Sequence, residues 1–208
     1  MVGGWEVADA LGKPVAQEAA RWFTVSLDRS SAPWAYRRGE PFRVIAALEL
    51  LGTLLAVKLF IGPSEVEGRW SGKISAGAST DNQGNRFVLN RLMTTKFPLL
   101  AFVCELSALM EERSCLVDLS WVPRDQNEEA DAITNGDVRD FCRSKEVQVD
   151  LQSLNFLVLG RLLDLGDTFY TEVQAEKEKA KALVAAHRDK PTWEKRSRKV
   201  SLKAADPW

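Results

Sequence analysis

From Val44 to Val57 the chain reads VIAALELLGTLLAV, and between Arg43 and Lys58 its only ionisable residue is Glu49. With Pro41 tolerated in a first turn and Gly62-Pro63 as a stop, the stretch predicts a helix over Phe42 to Ile61. A helix apolar nearly all round must be buried on more than one side. It carries a carboxylate and is too short for a membrane span, so a core helix is the reading. An isolated buried carboxylate has to be neutralised, paired or bound to a cation, because burying it alone is expensive. The alternative puts Glu49 on a narrow solvent stripe, which Ala46, Leu48, Leu50 and Leu51 make thin.

Around that helix the pattern alternates. Met1–Val7 and the aromatic, β-branched Trp22–Leu27 predict strands, separated by a polar turn over Asp9–Gln17 with Gly12 and Pro14. Ala32–Tyr36 reads as a loop or an edge extension. Gly68–Thr80 predicts a strand of small residues, central in a sheet where helices pack closely. Helices follow over about Arg86–Met93 and over Phe97–Arg113, the latter with Leu100, Val103, Cys104, Leu106, Leu109 and Met110 on its apolar face. Leu116–Val122 is a further strand, ended by Pro123. Val147–Leu151 reads as a short extended piece. Leu154–Val173 reads as an amphipathic helix that continues with charge to Arg188.

The expected class is α/β, a mixed sheet flanked by helices. Residues 1–140 form the main domain, 141–190 a helical, charged extension and 191–208 a basic tail. The 208 residues, 45% hydrophobic and 27% charged, suit one globular domain plus an appendage. A formal net charge of −1 gives no global signal for nucleic acid, so any basic surface is local. Between Lys190 and Lys203 six Lys or Arg face one Glu; this run reads as a disordered, solvated tail, with a nucleic-acid strip as the minor reading. Cys104, Cys115 and Cys142 lack metal-type spacing and read as reduced, buried thiols of an intracellular protein. No basic start followed by an apolar run marks a signal peptide.

Two further carboxylates stand out by position. Asp81-Asn82 ends the small-residue strand, and Gln83-Gly84-Asn85 leads into the next helix. Taken alone that is more often just a turn. In WVPRDQNEEADAITN, Trp121 to Asn135, a strand delivers the chain to a polar loop and then to a helix that projects Asp131 near the strand's end. In α/β folds sites are built beyond strand carboxyl ends. No Ser, Cys or His constellation accompanies these acids; the only histidine, His187, lies in the charged C-terminal region.

Trp121-Val122-Pro123-Arg124, then Asn127, then Ala130-Asp131, resembles the last strand, loop and catalytic helix of the ribonuclease H domain of retroelement reverse transcriptases. Ile45–Leu51 resembles the family's helix that supplies its second acid, and Thr80-Asp81-Asn82 the strand end that supplies its third. The three motifs come in the family's order and span about two thirds of the chain. The resemblance implies a ribonuclease H-like fold and cleavage of RNA in RNA–DNA hybrids, as part of a retroelement polyprotein whose reverse transcriptase portion is a partner. Glu49, Asp81 and Asp131 would hold Mg²⁺ or Mn²⁺, and Asn82, Arg86, Arg91, Arg124 and Asn127 would contact nucleic acid. Two such ions roughly 4 Å apart activate water and stabilise charge at the attacking and leaving oxygens. The chain departs from the family in two places. Arg124-Asp125-Gln126 stands where many members carry a mobile histidine. Val2–Glu6 resembles the family's second strand, which places the first strand and its central Asp upstream of Met1; Asp9 is the one candidate to replace that acid. The competing expectation is a catalytically inactive remnant that binds nucleic acid or is purely structural.

Overall fold

The computed structural model describes residues 1–9, 12–37, 39–62 and 73–188. Strands β1 (Val2–Trp5) and β2 (Trp22–Val25) form an antiparallel hairpin with Val2 opposite Val25 and Trp5 opposite Trp22. Pro33–Tyr36 is a helical turn, α1, rather than the loop or extension that its composition predicts. Pro33 takes a first-turn position where no N–H is needed, and Trp34 buries itself against Phe102, ring centroids 4.8 Å apart. A 3₁₀ turn over Pro41–Val44 leads into α2 (Ile45–Phe60). β3 (Ile74–Thr80), α3 (Gln83–Arg91), α4 (Leu99–Glu112) and β4 (Cys115–Trp121) follow, then α5 (Glu128–Thr134) and α6 (Leu159–Arg188).

Helix α2 is the core element that its sequence predicts. Leu50, Leu54 and Leu55 are fully buried, together with Phe102, Leu106 and Leu109 of α4. Leucines so enclosed each cost about 2–5 kcal/mol when cut to alanine. The other side of α2 meets β1. There Gly52 leaves room for Val2: an added Cβ would sit 3.2 Å from Val2 Cγ1. Because side chains alternate along a strand, Gly3 faces away from α2, toward α5. A Cβ at Gly3 would lie 2.6 Å from Ile133 Cγ2, so α5 packs directly on the backbone of β1.

The structure has mixed α/β composition but not one mixed sheet. β1 pairs with β2, and β3 runs parallel to β4, in two separate two-stranded sheets. Among the described residues no ladder joins β1 to β3; the helices hold the hairpin in place instead. β3 is therefore not central. Ile74, Ser75, Gly77 and Ser79 are exposed, and a Cβ on Gly77 would meet nothing within 4 Å, so close helix packing is not why its residues are small. In β4 the buried Cys115, Val117 and Leu119 alternate with exposed Leu116, Asp118 and Ser120, a sheet covered on one face. The expected residues 68–72 of this β3 segment lie outside the described residues, as does the 191–208 tail.

Val147–Leu151 is not a strand. The residue before it, Glu146, makes an isolated parallel bridge to Trp22, and the Val147 N–H donates to the Trp22 carbonyl at 2.8 Å. A second small cluster, Trp22, Ile133 and Phe141 with Trp5 against it, closes this side of the hairpin. The three cysteines are free, but only Cys115 is buried; Cys142 is exposed, which corrects the expectation of three buried thiols. Residues 1–167 form one compact unit and residues from Thr168 a second. The described part of the second is the outer stretch of α6, largely exposed, with Glu176–Lys179 and Glu178–Lys181 pairs. Among the described residues no helix is long and apolar enough to cross a membrane.

Candidate functional site

The parallel register places Thr80 opposite Trp121, so β3 and β4 end side by side. The Val122 N–H donates to the Thr80 carbonyl at 2.9 Å, extending the pairing to the last residue before Asp81. Pro123 then breaks the ladder, and Arg124–Gln126 makes a 3₁₀ turn. Asp131 comes in the first turns of α5, its N–H donating to the Asn127 carbonyl at 3.1 Å. Two strand ends thus bring Asp81, Arg124 and Asp131 to one edge. Trp121, 42% exposed, fastens that edge by donating its indole N–H to the Asp81 carbonyl at 3.1 Å.

Helix α2 is tied to the same edge through α3. Asn82 caps α3, its Oδ1 accepting the Asn85 N–H at 3.1 Å. Asn85, 1% exposed, donates its amide to the Ala46 carbonyl at 2.9 Å and to Glu49 Oε2 at 3.3 Å. Glu49, Asp81 and Asp131 therefore share one neighbourhood, and their electrostatics record it. Burial pushes the Glu49 carboxyl above its ordinary pKa; a hydrogen bond from Asn82 opposes this, Asp81 adds to it, Arg124 opposes it, and Asp131 adds to it. Arg124 is held above its ordinary value by its hydrogen bond to Asp131, then by the charges of Asp131, Asp81 and Glu49.

The cation at the centre of this trio is Arg124. Its Nε donates to Asp131 Oδ2 at 3.1 Å and lies 4.0 Å from Asp81 Oδ2, while 79% of its side chain stays open to solvent. The donor set of three carboxylates and the Asn82 amide is hard and oxygen-rich, which fits Mg²⁺ or Mn²⁺ in chemistry. The spacing is that of carboxylates around a guanidinium. Among the described residues no three His, Cys, Asp or Glu side chains are gathered closely enough to hold one ion.

The remaining expected residues divide. Asn82 is half-buried at the start of α3, where its Oδ1 caps the helix, and its side chain lowers the Glu49 pKa. Arg86 and Arg91 are exposed on α3, Arg91 over the Phe87 ring at 5.9 Å. Asn127 stands half-buried at the start of α5 without a side-chain capping bond. The hairpin carries Asp9 away from Glu49. Glu6, three residues before it, pairs with Arg21, which also donates to the Phe60 carbonyl at the far end of α2. Glu49 is eleven residues back along that helix, roughly 16 Å. Asp9 instead closes its own turn, accepting the Lys13 N–H on Oδ1 at 2.9 Å. His187 belongs to the second unit. Two contacts at the site have no local sequence signal: the Asn85 amide on Glu49 and the Trp121 indole on the Asp81 carbonyl. No family model matches the chain, and no curated protein or solved structure is significantly similar to it.

Proposed function

We propose that this chain is a divalent-metal-dependent nuclease of the ribonuclease H class, cleaving the RNA strand of RNA–DNA hybrids within a retroelement polyprotein. The observation that carries the reading is the meeting of Glu49, Asp81 and Asp131, from a helix, a strand end and a second helix, around one guanidinium. Three acids that demand a cation at the carboxyl ends of parallel strands are a phosphate-chemistry arrangement.

Glu49, Asp81 and Asp131 would hold Mg²⁺ or Mn²⁺, which when bound activates water and stabilises charge on the scissile phosphate. The chain's own residues do the positioning. Asn85 fixes Glu49 from the buried side, and Trp121 fixes the backbone at Asp81. Arg124, Arg86 and Arg91 face solvent and would supply local positive charge in a chain whose net charge is −1. The reverse transcriptase portion of the same polyprotein is the partner this reading implies.

A labelled RNA–DNA hybrid incubated with Mg²⁺ or Mn²⁺ tests it. Cleavage by the wild type, lost in Asp81→Asn and Asp131→Asn with unchanged melting, is expected. Folded protein that leaves the hybrid intact overturns the nuclease reading. That outcome selects the second reading, an inactive remnant that binds nucleic acid, which is favoured by Arg124 standing in the cation's place and by Asp9 being carried away from Glu49.

A further inference from the structure

The position of Arg124 carries more than a phosphate contact. A guanidinium and a divalent ion placed between the same two carboxylates repel each other, so both cannot stay. The Arg124 pair with Asp131 is solvent-exposed, and exposed ion pairs are weak, so the side chain leaves at small cost. Its planar fork matches the oxygens of a phosphate as well as those of a carboxylate. Behind the trio, the buried Asn85 ties Glu49 to the fold, its amide nitrogen donating to both the Ala46 carbonyl and Glu49 Oε2 while its Oδ1 is buried without a hydrogen-bond partner. The carboxylate side of the site is thus built in, and the cation side is the movable part.

We propose that Arg124 is a substrate-displaced counter-ion, which neutralises Asp81 and Asp131 in the free protein and transfers to a backbone phosphate of bound polynucleotide, admitting the divalent metal. This deepens the nuclease reading and rests on it. Its consequence is positive coupling: polynucleotide tightens metal binding, and metal tightens polynucleotide binding by the same factor. Arg124 is the residue through which the two communicate.

The test is Mn²⁺ binding to the full chain, followed by the electron paramagnetic resonance of free Mn²⁺, with and without a saturating uncleavable 2′-O-methyl RNA–DNA hybrid. The hybrid tightens Mn²⁺ binding by about tenfold in the wild type, within the range typical of coupled sites. Arg124→Gln binds Mn²⁺ about fivefold tighter than the wild type without hybrid and loses most of the hybrid effect. Arg124→Lys retains the charge and stays closer to the wild type. An Arg124→Gln protein whose Mn²⁺ affinity and hybrid effect match the wild type overturns the proposal while leaving the nuclease reading intact. Wild type and variant that melt normally but bind neither Mn²⁺ nor hybrid overturn both.

Discussion

Asn85 reaches Glu49 across 3.3 Å with the same amide group that holds the Ala46 carbonyl at 2.9 Å, so helix α3 fixes the carboxylate to its own helix backbone. Glu49 is thereby kept charged-group-in in an apolar helix, at a cost to the fold that burial makes evident. A group retained against its burial cost is expected to serve a ligand rather than stability.

Replacing it separates the two. Glu49→Gln keeps the shape and removes the charge, and it raises stability by up to about 1 kcal/mol while abolishing metal binding and cleavage. Thermal melting and the hybrid assay, run on the same preparation, read both effects.

Trp121→Phe removes the indole N–H from the Asp81 carbonyl and retains an aromatic ring at the strand end. Loss of one hydrogen bond at an exposed edge changes melting by less than about 1 kcal/mol. Cleavage falls about tenfold through misplacement of Asp81. Equal losses in melting and turnover would instead assign Trp121 to the fold.

Glu105 of α4 is fully buried and accepts the N–H groups of Leu157, Val158 and Leu159 at 2.8, 2.7 and 2.8 Å, binding the start of α6 to the core. In Glu105→Gln one amide faces donors it cannot accept from. The variant is less stable by about 2–4 kcal/mol, measured by denaturant unfolding, with no change in metal affinity once folded.

Asp28 organises the turn before α1. Its Oδ1 accepts the N–H groups of Ser30 and Ser31, each at 2.8 Å, and both hydroxyls, and these bonds, led by the Ser31 N–H, lower its pKa to about 2. A depressed folded pKa contributes stability above the ordinary carboxylate value and loses it as pH falls through the folded one. Asp28→Ala is therefore less stable than the wild type at neutral pH, and the gap closes as acidification approaches pH 2. A carboxyl midpoint near the ordinary value in a nuclear magnetic resonance titration would contradict this.

Local pattern made part of this molecule readable. Glu49 announced itself as the one charge in an apolar run, Asp81 and Asp131 by following strands, and the strands and helices that carry them by period and by Pro and Gly stops. What stayed hidden is non-local. Whether β1 lies beside β3 depends on pairing that no single segment encodes, and small residues suit an exposed edge as readily as a crowded centre. Glu105 looks like one polar position in an amphipathic helix, because the N–H groups it serves come more than fifty residues later. Asn85 is similarly silent until α2 is packed beside it, and Arg124 reads as a phosphate contact until Asp81 and Asp131 flank it.

The central claim is that Glu49, Asp81 and Asp131 form one metal-binding site. The most direct measurement is paramagnetic broadening of backbone amide resonances by Mn²⁺ in the presence of an uncleavable hybrid. The account predicts broadening centred on these three residues and lost in Asp81→Asn. Broadening centred elsewhere, or unchanged by that substitution, would contradict it.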